Sequence, residues 1–539
     1  MQKQNPPERV TEGGIILPGP KKLDTSQSYF MVEKETGRVV ERLSTGGKRV
    51  LREPGLNDRA MVAGVKDGRY EVKSQDEIID SYPIKDTGLG ITGGGDCAGI
   101  SDFLASFKRN LDPKYLMLGI RFAGSGLSVA PDKFREQLIV VDELAAGEFE
   151  GRSSTPYGSA RVDPLKVQDG DTTRRDNTRQ NIDGRGFFYG SGGNDHLGLL
   201  ERMAKEFPQL MVVGTFKSID GDGHINGKPA QMLGFDSAKV DYRKAIYSVA
   251  QNGATHRQWH VVETFGRGAG KLAFEAARRH PEDLEKMHPE ERRKIEDYGD
   301  GVMILVPEKQ TTFRSIAHEA ASTKKQEGFV VVVAAEGFIP PELKHEMDRL
   351  AKDDALKARW KSGDLKADQI PKLIEAVDED DPRADLKRIL GDQQLAAQFG
   401  KMAWSSKLDD HGNVAKISGI GNFITGALKA LGKAEKVNQI YENYEARGAT
   451  PSEYDMIMGK KVGKRMAELV NEGVTGGKAV IYFEGMDARS EDPVVVDLVG
   501  VSDENNLNNP RIYNQEMLQK NGVFWKRQDL SKYGMKAAA

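Results

Sequence analysis

The sequence predicts an α/β protein built on a parallel sheet, and two patterns support that fold class. Between residue 86 and about residue 335, short apolar runs alternate with amphipathic stretches of helical length, as in βαβ units. Glycine is enriched, with 59 residues in a chain of 539, and glycine clusters at strand ends let the backbone approach a ligand closely. The apolar runs cover 117–120, 137–141, 210–214, 261–264, 302–307 and 329–334, with helical stretches such as 196–207 and 236–251 between them.

The two ends of the chain extend beyond this alternation. Residues 1–85 are predicted to be an N-terminal extension that contains a β-hairpin. Residues 29–33 and 38–42 are strand-like, and they flank a turn at 35–37. Strand-like runs return near the other end, at 478–484 and 494–501.

Two internal stretches interrupt the pattern. Residues 145–185 are rich in Arg, Asp, Thr and Gly, which predicts a loop-like insertion. In residues 340–400 Lys, Asp and Glu dominate, and helical spacing replaces the strand-like runs. We therefore predict a solvated helical insertion there, and the alternative is a coiled-coil site for a partner.

Composition argues against several classes of protein. The net charge is −3 and the isoelectric point is near 6.4, so there is no global basic surface for nucleic acid. No run approaches 18 consecutive apolar residues, so we expect no membrane span, and the N-terminus lacks the apolar core of a signal peptide. Cys97 is the one cysteine, which excludes an internal disulfide and a Cys-rich zinc site. The cytoplasm is the expected compartment.

The most informative run is Gly-Thr-Phe-Lys-Ser-Ile-Asp-Gly-Asp-Gly at residues 214–223, directly after the apolar residues 210–213. This order predicts a buried strand that ends in a turn, and strand ends are where open α/β sheets bind ligands. Lys217 could supply a cation for phosphate there. Asp220 and Asp222 could supply a general base and a metal contact.

Two glycine-rich loops are candidate anion cradles. Residues 92–100, Thr-Gly-Gly-Gly-Asp-Cys-Ala-Gly-Ile, leave backbone N–H groups accessible ahead of a helix start near residue 101. Residues 191–196, Ser-Gly-Gly-Asn-Asp-His, have the same character. Arg161, Arg267 and Glu308 also follow glycines, small residues or an apolar run, although each alone is as readily a surface or turn residue. Together these groups form the inventory of phosphoryl transfer: cations, a metal contact and a base.

Other patterns are weaker. Gly88, Gly90 and Gly93 have the spacing of a dinucleotide fingerprint, but they precede or overlap a strand instead of following it. No phosphate loop of the Walker type is present in the sequence. His256 and His260 have metal-ligand spacing without the glutamate of a zincin, so we do not predict a zinc site.

The order of motifs resembles that of the phosphofructokinase family, over roughly residues 86–500. Seven stretches carry the resemblance in family order: Thr-Gly-Gly-Gly-Asp-Cys-Ala-Gly at 92–99, Gly-Ser-Ala-Arg at 158–161, Gly-Gly-Asn-Asp at 192–195, Lys-Ser-Ile-Asp-Gly-Asp at 217–222, Gly-Phe-Asp-Ser-Ala at 234–238, Trp-His-Val-Val-Glu-Thr-Phe-Gly-Arg at 259–267 and Tyr-Glu-Ala-Arg-Gly-Ala-Thr-Pro-Ser-Glu-Tyr-Asp at 444–455. The resemblance implies two Rossmann-like lobes with parallel sheets that face a cleft, plus the N-terminal extension and the helical insertion.

The resemblance also implies a domain order. Residues 86–238, completed by about 455–500, would be the lobe that binds the donor phosphates. Residues 239–454 would be the lobe that binds the sugar phosphate, with the helical insertion at about 340–430. Residues 501–539 would be a C-terminal tail.

Site roles follow from the same resemblance. Asp220 would be the base that takes the proton from the C1 hydroxyl of fructose 6-phosphate, and Lys217 and Asp195 would complete the catalytic set with Arg161. Arg161 would contact the donor phosphates together with Gly95. The residues expected to hold the sugar phosphate are Ser218, Asp222, Arg257, Phe265, Gly266, Arg267, Glu308, Tyr444 and Arg447. Arg257 would act across a subunit interface of a homo-oligomer, a dimer or tetramer.

Two positions bear on the phosphoryl donor. Asp195 and Lys217 both match the pyrophosphate-dependent branch of the family. A carboxylate at 195 would crowd and repel the α-phosphate region of a nucleotide, and a lysine at 217 could stabilise charge on a phosphate leaving group. The resemblance therefore implies phosphorylation of fructose 6-phosphate to fructose 1,6-bisphosphate, from pyrophosphate more readily than from ATP.

Four departures from the family pattern leave alternatives open. Asn194 stands where the family has its Mg²⁺-binding aspartate, so Mg²⁺, the implied cofactor, would be held at Asn194 and Asp195. Gly221 replaces an asparagine, Phe265 a methionine, and Ser101 another asparagine. The alternatives are an ATP-dependent 6-phosphofructokinase, a kinase of another sugar phosphate, and a catalytically impaired regulatory homologue.

Overall fold

The structure is a computed structural model of the 539-residue chain. It describes residues 28–36, 39–44, 51–52, 69–153, 155–160, 162–167, 170–225, 227–266, 269–277, 288–309, 311–404, 419–432, 434–441 and 444–499. Two predicted site residues, Arg161 and Arg267, lie outside the described residues, and so does the predicted tail at 501–539.

Strands and helices alternate along most of the described chain. The strands are β1 (Ser28–Glu33), β2 (Val39–Ser44), β3 (Leu51–Arg52), β4 (Tyr70–Ser74), β5 (Thr87–Thr92), β6 (Leu116–Ile120), β7 (Leu138–Val140), β8 (Phe187–Gly192), β9 (Met211–Phe216), β10 (His224–Ile225), β11 (Lys228–Pro229), β12 (Trp259–Thr264), β13 (Val302–Leu305), β14 (Val330–Ala335), β15 (Val437–Tyr441), β16 (Gly476–Ile481) and β17 (Val494–Asp497). The α-helices are α1 (Gln75–Asp80), α2 (Ile100–Asn110), α3 (Gly124–Leu127), α4 (Pro131–Phe134), α5 (Glu143–Phe149), α6 (Thr173–Ile182), α7 (Asn194–Glu206), α8 (Phe235–His256), α9 (Lys271–Ala277), α10 (Pro289–Tyr298), α11 (Phe313–Glu327), α12 (Pro341–Ala351), α13 (Asp354–Ser362), α14 (Pro382–Ile389), α15 (Gln393–Trp404), α16 (Ile420–Ala430), α17 (Tyr444–Arg447) and α18 (Glu453–Asn471).

The larger sheet has seven strands in the order β17-β16-β9-β8-β5-β6-β7. Its five central strands are parallel, and the edge strands β7 and β17 are antiparallel to their neighbours. Every residue of β5, β8 and β9 is buried, as expected for strands that helices cover on both faces. The prediction of a parallel sheet from alternating apolar runs is confirmed.

Glycines inside β5 explain the false dinucleotide fingerprint. Gly88 and Gly90 lie within the strand, where a Cβ would come within about 2 Å of the Phe187 and Tyr189 rings of the neighbouring β8. These glycines make room for aromatic side chains in the core, so their spacing has no connection with a phosphate. The rejection of the fingerprint is confirmed.

A second sheet has four strands in the order β13-β14-β12-β15, all parallel. A third, antiparallel sheet, β3-β2-β1-β4, belongs to the N-terminal extension. In it β1 and β2 form the predicted hairpin. Gln75, which follows β4, donates a side-chain hydrogen bond to the Leu138 carbonyl at 3.0 Å, so the extension is attached to the edge of the large sheet.

The loop-like prediction for residues 145–185 is wrong in part, because α6 occupies Thr173–Ile182. This helix has almost no apolar stripe. Its inner face buries Thr178 and Asn181, and the Asn181 amide donates to the Leu127 and Val129 carbonyls at 2.9 Å each. Hydrogen bonds to the backbone stabilise a helix whose composition resembles that of a loop.

The helical insertion is present, and it shares one apolar core with the second sheet. Helices α12 to α16 pack on the outer face of the second sheet, and Trp360 and Trp404 approach to 5.5 Å between ring centroids. Glu263 of β12 is fully buried, and its carboxylate accepts hydrogen bonds from the Gly419 and Gly421 N–H groups at 2.9 and 2.8 Å. This carboxylate therefore binds the N-terminus of α16, where the helix dipole favours negative charge. Among the described helices, none is long and apolar enough to cross a membrane.

Candidate active site

The predicted glycine loops and the 214–223 run meet where neighbouring strands of the large sheet have their C-terminal ends. Strands β5, β8 and β9 are neighbours and parallel, so the segments after Thr92, Gly192 and Phe216 emerge side by side. Backbone hydrogen bonds join them: the Gly93 N–H donates to the Ser191 carbonyl at 2.8 Å, and the Lys217 N–H donates to the Gly192 carbonyl at 2.9 Å. Three sequence motifs therefore form one site.

Two cationic side chains converge on Gly95 in the first glycine loop. Lys217 is only 2% exposed, and its ammonium group donates to the Gly95 carbonyl. From the other side, Nη1 of Arg447 lies 2.3 Å from the position that a Cβ on residue 95 would take. Since both cations adjoin half-buried backbone of a glycine loop, the arrangement is suited to binding an anion such as a phosphate group.

Two carboxylates, those of Asp220 and Asp195, lie within electrostatic range of Asp222. Burial, and then the charges of Asp220 and Asp195, raise the pKa of Asp222 above its ordinary value. The Oδ1 atom of Asp220 is buried and has no hydrogen-bond partner among the described residues. The Oγ atom of Ser218 accepts a hydrogen bond from the Asp220 N–H at 3.1 Å, which fixes the turn that carries the carboxylate. Asp195 is exposed in the first turn of α7.

Asn194 is the first residue of α7, and its side-chain amide contacts the turn that carries Asp222. Nδ2 donates to the Asp222 carbonyl at 3.2 Å, and Oδ1 accepts from the His224 N–H at 3.4 Å. Both ends of the amide therefore engage backbone of the segment after β9.

The donor set fits Mg²⁺ of the kind that binds with its substrate. Within the described ranges, no three Asp, Glu, His or Cys side chains form a ready-made cage for a metal ion. Mg²⁺ is usually held by one or two carboxylates together with substrate phosphates and water, so a cage is not required. A bound cation is favoured by the buried, unpartnered oxygen of Asp220 and by the negative charges of Asp220 and Asp195 near Asp222.

Among the residues predicted to hold the sugar phosphate, Phe265 and Gly266 follow β12, and Glu308 follows β13. Phe265 donates its N–H to the Tyr242 hydroxyl at 3.0 Å, and the Arg447 guanidinium lies over the Phe265 ring, 4.2 Å from the centroid. The next residue, Gly266, has φ +132°, a conformation that other residues rarely adopt. Arg447 thus links the end of β12 to the glycine loop on the large sheet. Tyr444 begins α17, but its side chain is outside what the structure describes.

Glu308 follows β13 as predicted, and its carboxylate contacts backbone. It accepts hydrogen bonds from the Gly270 N–H at 2.8 and 3.0 Å, at the start of α9. This contact fixes the end of the loop that begins at Phe265. The predicted contact of Glu308 with the sugar phosphate stays a prediction.

Arg257 is the one described site residue that the fold of a single chain sets apart. It is exposed at the C-terminal end of α8 with φ +52°, two residues before β12 begins. Phe265 and Gly266 follow the other end of that six-residue strand, roughly 20 Å away. Arg257 therefore has no route to the site within one subunit, and its predicted action across an interface stays a prediction.

Sequence reasoning missed several residues that shape the site. Lys271 is 5% exposed, pairs with Glu484 at 2.7 Å, and would lie 3.1 Å from a Cβ on Gly221. The His196 ring fills the space beside the glycine loops, so that a Cβ on Gly93 would lie 2.2 Å from its Nδ1. In the sequence, His196 stands only as the last residue of a glycine-rich loop, and no pattern assigns a role to Lys271.

Sequence reasoning also missed Asp455, whose role is structural and not catalytic. It is fully buried and accepts hydrogen bonds from the Gly234 and Ser237 N–H groups at 3.0 and 2.8 Å, at the start of α8. Burial and the Asp236 charge raise its pKa to about 7. The only sequence signal was its place in a family-like motif, which carried no role for it.

Comparisons with known proteins agree with the geometry. The family model described as Phosphofructokinase matches residues 89–470. A pyrophosphate–fructose 6-phosphate 1-phosphotransferase of Streptomyces coelicolor is 23% identical over 428 residues, 76% of this chain and 98% of the relative. Its counterpart in Dictyoglomus thermophilum is 24% identical over 390 residues, 72% and 86% of the two chains. An ATP-dependent 6-phosphofructokinase 1 of Synechocystis is 30% identical over 206 residues, 36% of this chain and 53% of the relative.

Two solved structures share the fold. The pyrophosphate-dependent phosphofructokinase of Nitrosospira multiformis aligns with a TM-score of 0.51 at 14% identity, over 78% of this chain and 85% of that one. The Pichia pastoris phosphofructokinase in the T-state aligns with a TM-score of 0.52 at 16% identity, over 82% of this chain but only 38% of that one. At these identities the likeness concerns the fold alone.

Proposed function

This chain belongs to the phosphofructokinase family, and we propose that it phosphorylates fructose 6-phosphate at C1 with pyrophosphate as the donor. The observation that carries the proposal is the buried, unpartnered carboxylate oxygen of Asp220 beside the Lys217–Gly95 contact. A base and an anion cradle are thereby close together, which phosphoryl transfer requires.

The chain's own groups account for each step. Asp220 takes the proton of the C1 hydroxyl, the C1 oxygen forms a bond to one phosphorus of pyrophosphate, and the bridging P–O bond breaks so that phosphate leaves with the electron pair. Lys217 stabilises the charge that develops on the leaving phosphate, because its ammonium is already buried and oriented at Gly95. Arg447 holds the sugar phosphate above Phe265. Asp195 and Asp222 would hold Mg²⁺, which would neutralise negative charge on the oxygens of the donor phosphates.

Pyrophosphate is favoured over ATP by the position of Asp195. Its carboxylate is exposed in the first turn of α7, next to the glycine loops, where the α-phosphate of a nucleotide would meet like charge. The Streptomyces and Dictyoglomus relatives, which cover most of this chain, carry names that specify pyrophosphate. The Synechocystis relative is named for ATP and covers about a third of this chain.

Initial rates with fructose 6-phosphate and Mg²⁺ test the proposal, with pyrophosphate and ATP compared as donors. We expect turnover with pyrophosphate to exceed that with ATP by at least about tenfold, since one like-charge contact of 1.4 kcal/mol has that effect. Asp195→Gly should lower the ratio of turnover with pyrophosphate to turnover with ATP, because it should improve the use of ATP. A wild-type preference for ATP would contradict the assignment of the donor.

Asn194 keeps one alternative open, a catalytically impaired homologue, because an amide contributes no charge to a metal site. A titration of Mg²⁺ in the same assay decides between the two. Absence of turnover with either donor at every Mg²⁺ concentration would favour the impaired homologue. Turnover of other sugar phosphates in preference to fructose 6-phosphate would favour the kinase of a different acceptor.

We propose further that Arg257 completes the site of a neighbouring copy in a homo-oligomer. Its exposure at the far end of β12 supports this, since the side chain has no route to its own site. Mixing inactive Asp220→Ala and Arg257→Ala subunits should restore about a quarter of wild-type activity in a dimer, because half of the dimers contain one intact site. Failure of the mixture to recover activity would contradict action across an interface.

A further inference from the structure

Asn194 connects two segments that must stay in register for the carboxylates to act. It begins α7, next to Asp195, whereas Asp220 and Asp222 lie on the segment after β9. The Asn194 amide spans the gap with two hydrogen bonds to backbone, one to the Asp222 carbonyl and one from the His224 N–H.

The donor half of this contact requires an amide. Nδ2 donates to the Asp222 carbonyl, and a carboxylate at the same position has no hydrogen to donate. The carbonyl also accepts from Nδ1 of His224 at 2.9 Å, so two donors hold it. His224 is buried, and its ring carries a hydrogen on Nδ1 because a carbonyl oxygen can only accept.

Charge at this position matters as well. Three carboxylates, those of Asp195, Asp220 and Asp222, already lie on these two segments. A fourth carboxylate at 194 would add like charge beside them wherever no cation is bound. A neutral amide holds the segments together without this cost.

We propose that Asn194 is a positioning residue, whose amide fixes the backbone of residues 222–224 against α7 and thereby holds Asp220 and Asp222 beside Asp195. In this arrangement the three aspartates balance the charge of the metal ion. Asn194 keeps the aspartates in position and does not bind the ion. The effect on turnover rests on the proposed function, whereas the effects on metal binding and on backbone protection do not.

The experiment compares wild type with Asn194→Ala, Asn194→Asp and a matched control, Asn181→Ala. Asn181 also donates its amide to backbone carbonyls of the same lobe, but it lies away from the site in α6. Three quantities are measured: Mn²⁺ affinity without substrate, hydrogen exchange of the peptide 218–225, and kcat and KM with fructose 6-phosphate and pyrophosphate.

For Asn194→Ala we expect exchange in peptide 218–225 to quicken about tenfold, because two hydrogen bonds that close the segment are lost. Mn²⁺ affinity should stay within about threefold, and kcat should fall about tenfold with little change in KM. Asn194→Asp should bind Mn²⁺ at least as tightly as wild type and still lose kcat. Asn181→Ala should leave all three quantities near wild type.

Two results would overturn the inference. One is a tenfold loss of Mn²⁺ affinity in Asn194→Ala with unchanged exchange, which would make Asn194 a metal ligand. The other is a gain of both Mn²⁺ affinity and kcat in Asn194→Asp, which would make the amide a weakened ligand. If the wild-type protein shows no turnover with either pyrophosphate or ATP, the proposed function fails. Hydrogen exchange and Mn²⁺ affinity still decide the role of Asn194 in that case.

Discussion

Gly95→Ala adds a single methyl group at the point where the two lobes meet across the site. The position that its Cβ would take is 2.3 Å from Nη1 of Arg447, whereas ordinary van der Waals contact begins near 3.4 Å. The guanidinium therefore has to retreat by about 1 Å. Since Gly95 does not lie in the left-handed region, alanine brings no backbone strain, and the effect is steric alone.

The retreat has a calculable consequence for the proposed sugar-phosphate site. Arg447 would leave its place 4.2 Å above the Phe265 ring, an interaction worth about 0.5–1 kcal/mol when partly exposed. A misplacement of about 1 Å in a substrate-positioning group costs up to about 100-fold. We expect kcat/KM for fructose 6-phosphate to fall about 10- to 100-fold, mainly through KM, because Arg447 is proposed to bind the sugar phosphate.

Steady-state kinetics and thermal unfolding of the same preparations provide the assay. Gly147→Ala is the matched control, because a Cβ at that helical position meets no atom within 4 Å, and alanine favours a helix. The Tm of Gly95→Ala should stay within a few degrees of wild type. A kcat/KM that stays within twofold of wild type would refute the reasoning, since Arg447 would then have no fixed place at Gly95.

Three further predictions follow from buried charges. Asp220→Ala should abolish turnover while calorimetric binding of fructose 6-phosphate largely survives; a rate near wild type would show that Asp220 is not the base. Lys217→Met should lower kcat about 10²- to 10³-fold. The free energy of unfolding should stay the same or rise, because an apolar chain of similar length replaces a cation that is only 2% exposed. A loss of stability without a loss of kcat would contradict this prediction. Burial raises the pKa of Glu342 to about 8. Above about pH 4.5 the unfolded chain therefore releases a proton that the folded chain keeps. For this reason Glu342 lowers the free energy of unfolding as the pH rises from 4.5 to 8. Glu342→Gln, which can still accept from the Phe313 N–H, should flatten that part of the Tm–pH profile, and equal slopes for the two proteins would count against the assignment.

The sequence predicted the strands and the glycine loops well because those features are local. Apolar runs such as 210–214 have the length and composition of buried strands, and parallel strands bring their C-terminal ends together without further information. The meeting of Lys217 with Gly95 follows from that topology. Its consequence, an anion cradle, was therefore predictable in outline.

Other parts of the site depend on packing that no local pattern records. Arg447 reaches Gly95 from more than 350 positions along the chain, and Lys271 reaches Glu484 from more than 200. Two of the three buried residues of helix α6 are polar, so neither the period nor the composition of this stretch indicates a helix. The roles of Arg161 and Arg267, which lie outside the described residues, stay predictions.

The contact between Glu263 and the start of α16 limits how this protein can be shortened. Deleting the insertion at about 340–430 would remove the N–H groups of Gly419 and Gly421 and leave a carboxylate inside the sheet with neither of those donors. An unpaired buried charge costs several kcal/mol, a large part of the stability of an ordinary domain. A minimal version of the enzyme would therefore need a neutral residue at 263 before the helices could be removed.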